Sequence, residues 1–347
     1  MACILPLLAD LVSTLQTTFI PRKKGIDNAI IVQELIHSMS SKKGRDGVMA
    51  IKINLEKAYD WLEWDFIRDT LNLFKFLEHL SSIILSCISF ATVLVLYNGG
   101  ALEPFHPSRG IRQEDPLSPY LFSLCMEVLG ALITDKCQTN LWNAIPASKG
   151  GISFSHLFFI DDLVLFAKVD CKNCMVVRDA LDTFCELFGQ KVSDEKSRVF
   201  FSPNISQHTR KELCSILKFQ STPSLGKYLD FLIKHKSITQ DFGAVIEQVQ
   251  NRLAGWKAHL LSFAGRLVLT QATISAIPNH VMQCNSLPPK ITQDIDKLCL
   301  NFLWSLTEEK KKLHLISWKK ITKPKNEGGL GLQADREKDV EFLAKLN

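Results

Sequence analysis

The chain has 347 residues, 46% of them hydrophobic and 22% charged, a balance that supports a sizeable core and excludes disordered, collagen-like and low-complexity classes. Its formal net charge of +5 permits a polyanionic partner without demanding one. The length suits two domains, and no run of about 18 apolar residues lacks a charge or a turn signal, so a membrane span is not expected.

The N-terminal Met1-Ala-Cys-Ile-Leu-Pro-Leu-Leu has no basic leader and meets Asp10 early, which reads as helix and not as a secretory signal. A second helix is expected over about Asn28–Met39, with apolar residues at Ile31, Leu35 and Met39. The run Val48-Met-Ala-Ile-Lys-Ile-Asn-Leu reads as a buried strand. Amphipathic helices follow over Trp64–Phe76 and Glu78–Ile88. Next comes a hairpin, Ala91–Tyr97 and Ala101–Phe105, turning at Asn98-Gly99. Ser118–Thr134 reads as a buried helix introduced by Pro116 and Pro119.

Gly151–Ala167 is a second apolar hairpin, broken only by Asp161-Asp162. A helix over Asn173–Phe188 should stop at Gly189. A strand at Ser197–Ser202, a helix at Thr209–Leu217 and a strand at Tyr228–Ile233 complete an α+β part. From about Ile238 the pattern is helical almost throughout, and that shift marks the expected domain boundary. No internal repeat is visible. The ten cysteines are scattered, mostly in apolar runs such as those around Cys87 and Cys125, the pattern of reduced core thiols in an intracellular protein. Only Cys171 and Cys174 form a C-x-x-C, and no second pair or histidine stands at zinc spacing, which argues against a metal there.

Asp161 and Asp162 carry the most chemistry. They split two apolar strand-like runs, so they must stand at a tight turn, where adjacent carboxylates in an apolar setting are costly unless a cation neutralises them. Magnesium does this well, taking hard oxygen ligands while keeping positions for water or phosphate. For the string in isolation, a solvated hairpin tip is the simpler reading. The order of three segments shifts the balance: Ile51-Lys-Ile-Asn-Leu-Glu-Lys-Ala-Tyr-Asp60, then Pro107–Pro119 with its Arg-Gln-Glu-Asp-Pro string, then Phe158-Phe-Ile-Asp-Asp162.

With these motifs in order, the chain resembles the reverse transcriptases of plant-type LINE (non-LTR) retrotransposons. The resemblance runs on through Gly189–Ser197, Leu225–Phe231, Arg252–Lys257, Ala276–Cys284, Asn301-Phe-Leu-Trp304 and Glu327-Gly-Gly-Leu-Gly331. It implies a right-hand polymerase of α+β class, with partial fingers over residues 1–47, a palm with inserted fingers helices over 48–237, and a helical thumb and connection region over 238–347. It also implies two magnesium ions held by palm carboxylates, an RNA template with a DNA primer, and deoxynucleoside triphosphates as substrates. It points to no membrane and no specific protein partner, and the compartment stays open.

Residue by residue, the first palm carboxylate of the family falls on Asn54, which offers a neutral oxygen where a bridging anion is expected. Asp60, six residues on, matches a different position. Asp161 matches a metal ligand and Asp162 its supporting acid, while Ile160 replaces a small residue near the primer end. Tyr59 matches the aromatic under the incoming sugar, although packing at a strand end explains it equally. Arg112 and Gln113 match nucleotide- and template-contacting positions, followed by Glu114 where the family has glycine. Lys196 matches a phosphate-approaching lysine, with a solvated surface lysine as the alternative. Lys227, Tyr228 and Leu229 match the primer grip, with Asp230 in place of a glycine. Arg252, Lys257, Arg266, Lys319 and Lys320, with the basic run Lys310–Lys312 and the nearby Trp304 and Trp318, suit a nucleic-acid backbone. A solvated basic face is the plainer explanation. No segment matches an endonuclease or a ribonuclease H, and the fingers match is short. The expectation is therefore a truncated, partly degenerate copy with impaired catalysis, and its rival is a non-catalytic nucleic-acid-binding remnant.

Overall fold

The run Val48–Asn54 (β1) lies at the centre of a five-stranded sheet because its apolar residues can be buried on both faces, and only its last few positions are partly open. The computed structural model describes residues 5–17, 23–148, 150–233, 239–254, 260–304 and 316–344. The expected contacts Lys257 and Lys310–Lys312 lie outside these residues. In chain order the first part has helices α1 (Leu5–Leu11) and α2 (Gly25–Ser40), then β1, α3 (Trp64–Leu73) and α4 (Glu78–Ser89). A small hairpin, β2 (Leu96–Tyr97) and β3 (Gly100–Ala101), precedes α5 (Ser118–Gln138). Its turn residues Asn98 and Gly99 both have positive φ, as a type I′ turn requires. Short strands β4 (Ile145–Pro146) and β5 (Ser153–Phe154) form a second small hairpin before β6 (His156–Phe159) and β7 (Asp162–Lys168). Helix α6 (Cys171–Phe188), β8 (Arg198–Phe201), α7 (Gln207–Leu217), β9 (Gln220–Ser221), β10 (Gly226–Tyr228) and β11 (Phe231–Ile233) follow.

The main sheet has the order β6-β7-β1-β8-β9. β1 is antiparallel to both β7 and β8, and β9 joins β8 in parallel. Met49, Ile51 and Ile53 alternate on one face with Leu163, Leu165 and Ala167 of β7, packing in one core with Leu121, Phe122 and Cys125 of α5 and Val177, Leu181 and Phe184 of α6. Helix α2 lies against β1 and β6. Helix α6 starts where the Asp170 carboxylate accepts from the Asn173 amide at 2.6 Å, and it ends at Gly189 with φ of 74°. A side-chain N-cap and a left-handed glycine satisfy the groups a helix leaves unpaired at its ends.

One element departs from expectation. Tyr228–Ile233 is not one strand but two, β10 and β11, separated by Leu229 and Asp230, which both have positive φ (51° and 63°). The apolar run hid the break because Leu229 is not a usual turn former, although Asp230 is one and tolerates a left-handed backbone. The same turn divides the chain into compact units, Met1–Leu229 and Asp230–Asn347.

The second unit is helical: α8 (Gly243–Ala254), α9 (Phe263–Ala272), α10 (Ile277–Met282), α11 (Pro289–Leu303), α12 (Trp318–Ile321) and α13 (Asp335–Ala344). Val249, Ile274, Met282, Ile291 and Ile295 form its main core. Among the described residues, no helix is long and apolar enough to cross a membrane.

Buried His156 on β6 accounts for a pH dependence of the first unit. Its Nδ1 lies 3.0 Å from the Ser155 hydroxyl, and its ring is 4.5 Å from that of Phe158. Burial lowers its pKa from 6.5 to about 4. The unfolded chain therefore takes up a proton between those values that the folded site refuses. The contribution of the neutral ring to stability is full above pH 6.5 and is lost as pH falls towards 4. An NMR titration of this imidazole should show a midpoint near pH 4; a midpoint near 6.5 would contradict the buried placement.

Candidate active site

The register of β1 and β7 sets the site. Asn54 is the direct cross-strand partner of Asp162, and Phe159 pairs with Asp162 across the β6–β7 hairpin. Ile160 and Asp161 are thereby left as a two-residue turn. Ile160 has φ of 52°, the first-position signature of a type II′ turn. That conformation suits glycine, and a β-branched residue there is strained. Asp161 is exposed at the tip, and Asp162 is partly buried beside the sheet.

The loop after α6 holds the end of β1. The Ser193 amide donates to the Asn54 carbonyl at 2.8 Å, and the Asn54 amide donates to the Ser197 hydroxyl at 3.1 Å. The Gln190 side chain donates to the Ala58 carbonyl at 2.7 Å. Lys196 is exposed on this same loop.

The Arg-Gln-Glu-Asp-Pro segment is attached on the other side. Gly110 and Ile111 donate through their amides to the carbonyls of Leu62 and Tyr59, at 2.8 and 2.9 Å. A Cβ on Gly110 would stand 2.7 Å from the Asp60 carbonyl oxygen, so this close approach requires glycine. Arg112 pairs with Asp115 at 2.8 Å, and Gln113 is exposed. Glu114 adopts φ of 65°, a conformation in which glycine would be unstrained.

Tyr59 is half-buried and stacks on Phe122, with centroids 5.0 Å apart and planes 10° apart. Burial first, and the charge of Asp161 second, push its pKa up to about 12. Tyr228 is fully buried, and its pKa is also raised, by burial first and by the Asp162 charge in addition.

The first unit therefore brings Asn54, Asp161 and Asp162 together at one end of the central strands, with the segments carrying Tyr59 and Lys196 attached by backbone hydrogen bonds. In the second unit Arg252, Lys319 and Lys320 are exposed on α8 and α12, and Arg266 is half-buried on α9. Lys52 was not singled out in the sequence. Its Nζ lies 3.9 Å from Asp162 Oδ1 and donates to the Lys227 carbonyl. A lone charge two residues before Asn54 in an apolar strand is the signal that marks it.

The donors suited to a hard divalent cation are the two carboxylates and the Asn54 amide oxygen. Among the described residues, no cluster of three or more His, Cys, Asp or Glu side chains could hold a metal. This set fits one magnesium-like ion with water completing its shell. Its third donor, Asn54, contributes no charge.

Residues 2–229 match the model of the reverse transcriptase (RNA-dependent DNA polymerase) family, and the chain belongs to that family. A putative ribonuclease H protein of Arabidopsis thaliana is 44% identical over 115 residues, 33% of this chain and 18% of that protein. The transposon TX1 uncharacterized 149 kDa protein of Xenopus laevis is 25% identical over 346 residues, 96% of this chain and 25% of that protein. The retrovirus-related Pol polyprotein from type-2 retrotransposable element R2DM of Drosophila melanogaster is 30% identical over 206 residues, 59% of this chain and 18% of that one. Both transposon relatives are of the non-LTR, LINE type. The chain spans a quarter or less of the length of these three relatives. Among solved structures, apo telomerase from Candida tropicalis truncated from its C-terminal domain is similar over 59% of this chain and 41% of that one, at 14% identity and a TM-score of 0.44. Nucleotidyl transfer in the reverse transcriptase family uses a divalent metal.

The strained turn gives a test independent of catalysis. Ile160→Gly should be more stable than Ile160→Ala by about 1 kcal/mol, since both lose the packing of Ile160 against the core, while a left-handed non-glycine residue costs about 1–2 kcal/mol and glycine returns part of that as backbone entropy. Urea unfolding measures it; Ile160→Ala as stable as Ile160→Gly, or more so, would contradict the assigned turn.

Proposed function

We propose that this chain is the RNA-directed DNA polymerase domain of a LINE-type element, with its chemistry impaired. In this reading residues 1–47 contribute fingers, 48–237 the palm and 238–347 the thumb and connection. The observation that carries it is the pairing of Asn54 with Asp162 across β1 and β7. In this reading the three carboxylate positions of the family fall at that pairing and its adjoining turn, one of them neutral at Asn54.

Magnesium, when bound, would favour deprotonation of a primer 3′-hydroxyl and stabilise the departing pyrophosphate. Asp161, exposed at the tip, and Asp162 would hold that cation. Asn54 would add a neutral oxygen donor. Tyr59, held flat by its stacking on Phe122, would place an aromatic surface under the incoming sugar and restrict its 2′ side. Arg112, with Gln113, would contact nucleotide and template once the guanidinium leaves Asp115, and Lys196 would approach the phosphates. Glu114 places a negative charge beside them. Lys227, Tyr228 and Leu229 would hold the primer strand, and Arg252, Lys257, Arg266, Lys319 and Lys320 would contact the template–primer backbone.

Replacing a bridging carboxylate by an amide at such a centre costs several kcal/mol, or on the order of 10²-fold in rate. Primer extension on an RNA template with Mg²⁺ or Mn²⁺ should be very weak for the natural chain and rise on the order of tenfold or more in Asn54→Asp. Robust extension by the natural chain, equal to that of Asn54→Asp, would refute the impairment. Salt-dependent template binding without extension in either protein would favour the nucleic-acid-binding remnant.

A further inference from the structure

Lys52 is the only charged residue of β1, and strand alternation places it on the same face as Asn54. Its Nζ makes two contacts on two other strands. One is the ion pair with Asp162 of β7 at 3.9 Å, and the other is the hydrogen bond donated to the Lys227 carbonyl of β10. A single ammonium thus joins three strands at the carboxylate end of the site.

We propose that Lys52 is a positioning residue: a built-in counter-ion of Asp162 that also ties β10 to the carboxylate hairpin, so that a divalent cation at Asp162 and the tie to Lys227 exclude one another. The reading of Asp161 and Asp162 as the metal-holding pair underlies this. An ammonium about 4 Å from a carboxylate oxygen occupies the space and the charge that a divalent ion needs, and two cations at that distance repel in a partly desolvated site. Lysine suits this role because its compact charge sits on a flexible four-carbon stem, able to swing away without disturbing the strand. Two consequences follow. Divalent ions bind more weakly than two carboxylates would allow alone. Metal occupancy also changes the hold on β10, the strand assigned above to the primer.

The test uses the full chain, without nucleic acid or nucleotide, as the natural protein and as Lys52→Met, Lys52→Arg and Asp162→Asn. Mn²⁺ binding is followed by electron paramagnetic resonance, and the amides of Gly226–Tyr228 by hydrogen exchange. Loss of binding in Asp162→Asn places the counted ion at this site. Lys52→Met should bind Mn²⁺ on the order of tenfold more tightly, while Lys52→Arg stays weak. In the natural protein Mn²⁺ should speed exchange at Gly226–Tyr228. In Lys52→Met that exchange should already be fast and indifferent to metal. Equal affinity of the natural protein and Lys52→Met, with binding still lost in Asp162→Asn, overturns the counter-ion role alone. Exchange in the natural protein that ignores Mn²⁺ overturns the tie. Mn²⁺ binding absent from the natural protein and Lys52→Met, or retained in Asp162→Asn, overturns the metal-holding reading and the proposal with it.

Discussion

The site depends on one backbone fact, the antiparallel register of β1 with β7. Side chains alternate along a strand, so a slip of one residue would turn Asn54 and Asp162 to opposite faces. The register is held by the core beneath it, where Met49, Ile51 and Ile53 pack with Leu163, Leu165 and Ala167. It is held further at the strand end, where the loop Gly189–Ser197 bonds both backbone groups of Asn54. Apolar packing thus fixes the positions of polar groups that contribute little stability of their own.

Much of this was legible in the sequence. Apolar runs marked β1 and the β6–β7 hairpin, and the acidic pair located the turn to within one residue, since the turn is Ile160-Asp161 and Asp162 already belongs to β7. The stop of α6 at Gly189 was read from the sequence, while its start was placed at Asn173, two residues inside the helix that Asp170 caps. The hairpin at Asn98-Gly99 was visible too. The turn at Leu229-Asp230 was not, because Leu229 lacks turn chemistry and the apolar run around it outweighed the one signal, Asp230. Lys52 escaped notice because its partners, Asp162 and the Lys227 carbonyl, lie 110 and 175 residues away and meet only through the sheet.

Three positions combine atypical residues with the backbone of glycine-type turns: Glu114, Ile160 and Asp230, all at positive φ. Each costs about 1–2 kcal/mol relative to glycine, with Asp the least penalised. The fold tolerates them because the surrounding hydrogen bonds and packing determine the turns. In the proposed reading the chemistry would be less tolerant, since Glu114 would add negative charge and Ile160 bulk where nucleotide and primer are expected.

The central claim is that folding unites residues 54, 161 and 162 in a centre able to hold one divalent ion and not a bridged pair. Crystals of the protein soaked in Mn²⁺, with ions located by anomalous scattering, test it most directly. The account predicts a single manganese position between the carboxylates of Asp161 and Asp162, with the Asn54 amide oxygen beside it. Two manganese ions bridged at this end of β1, or none within reach of Asn54, would contradict it.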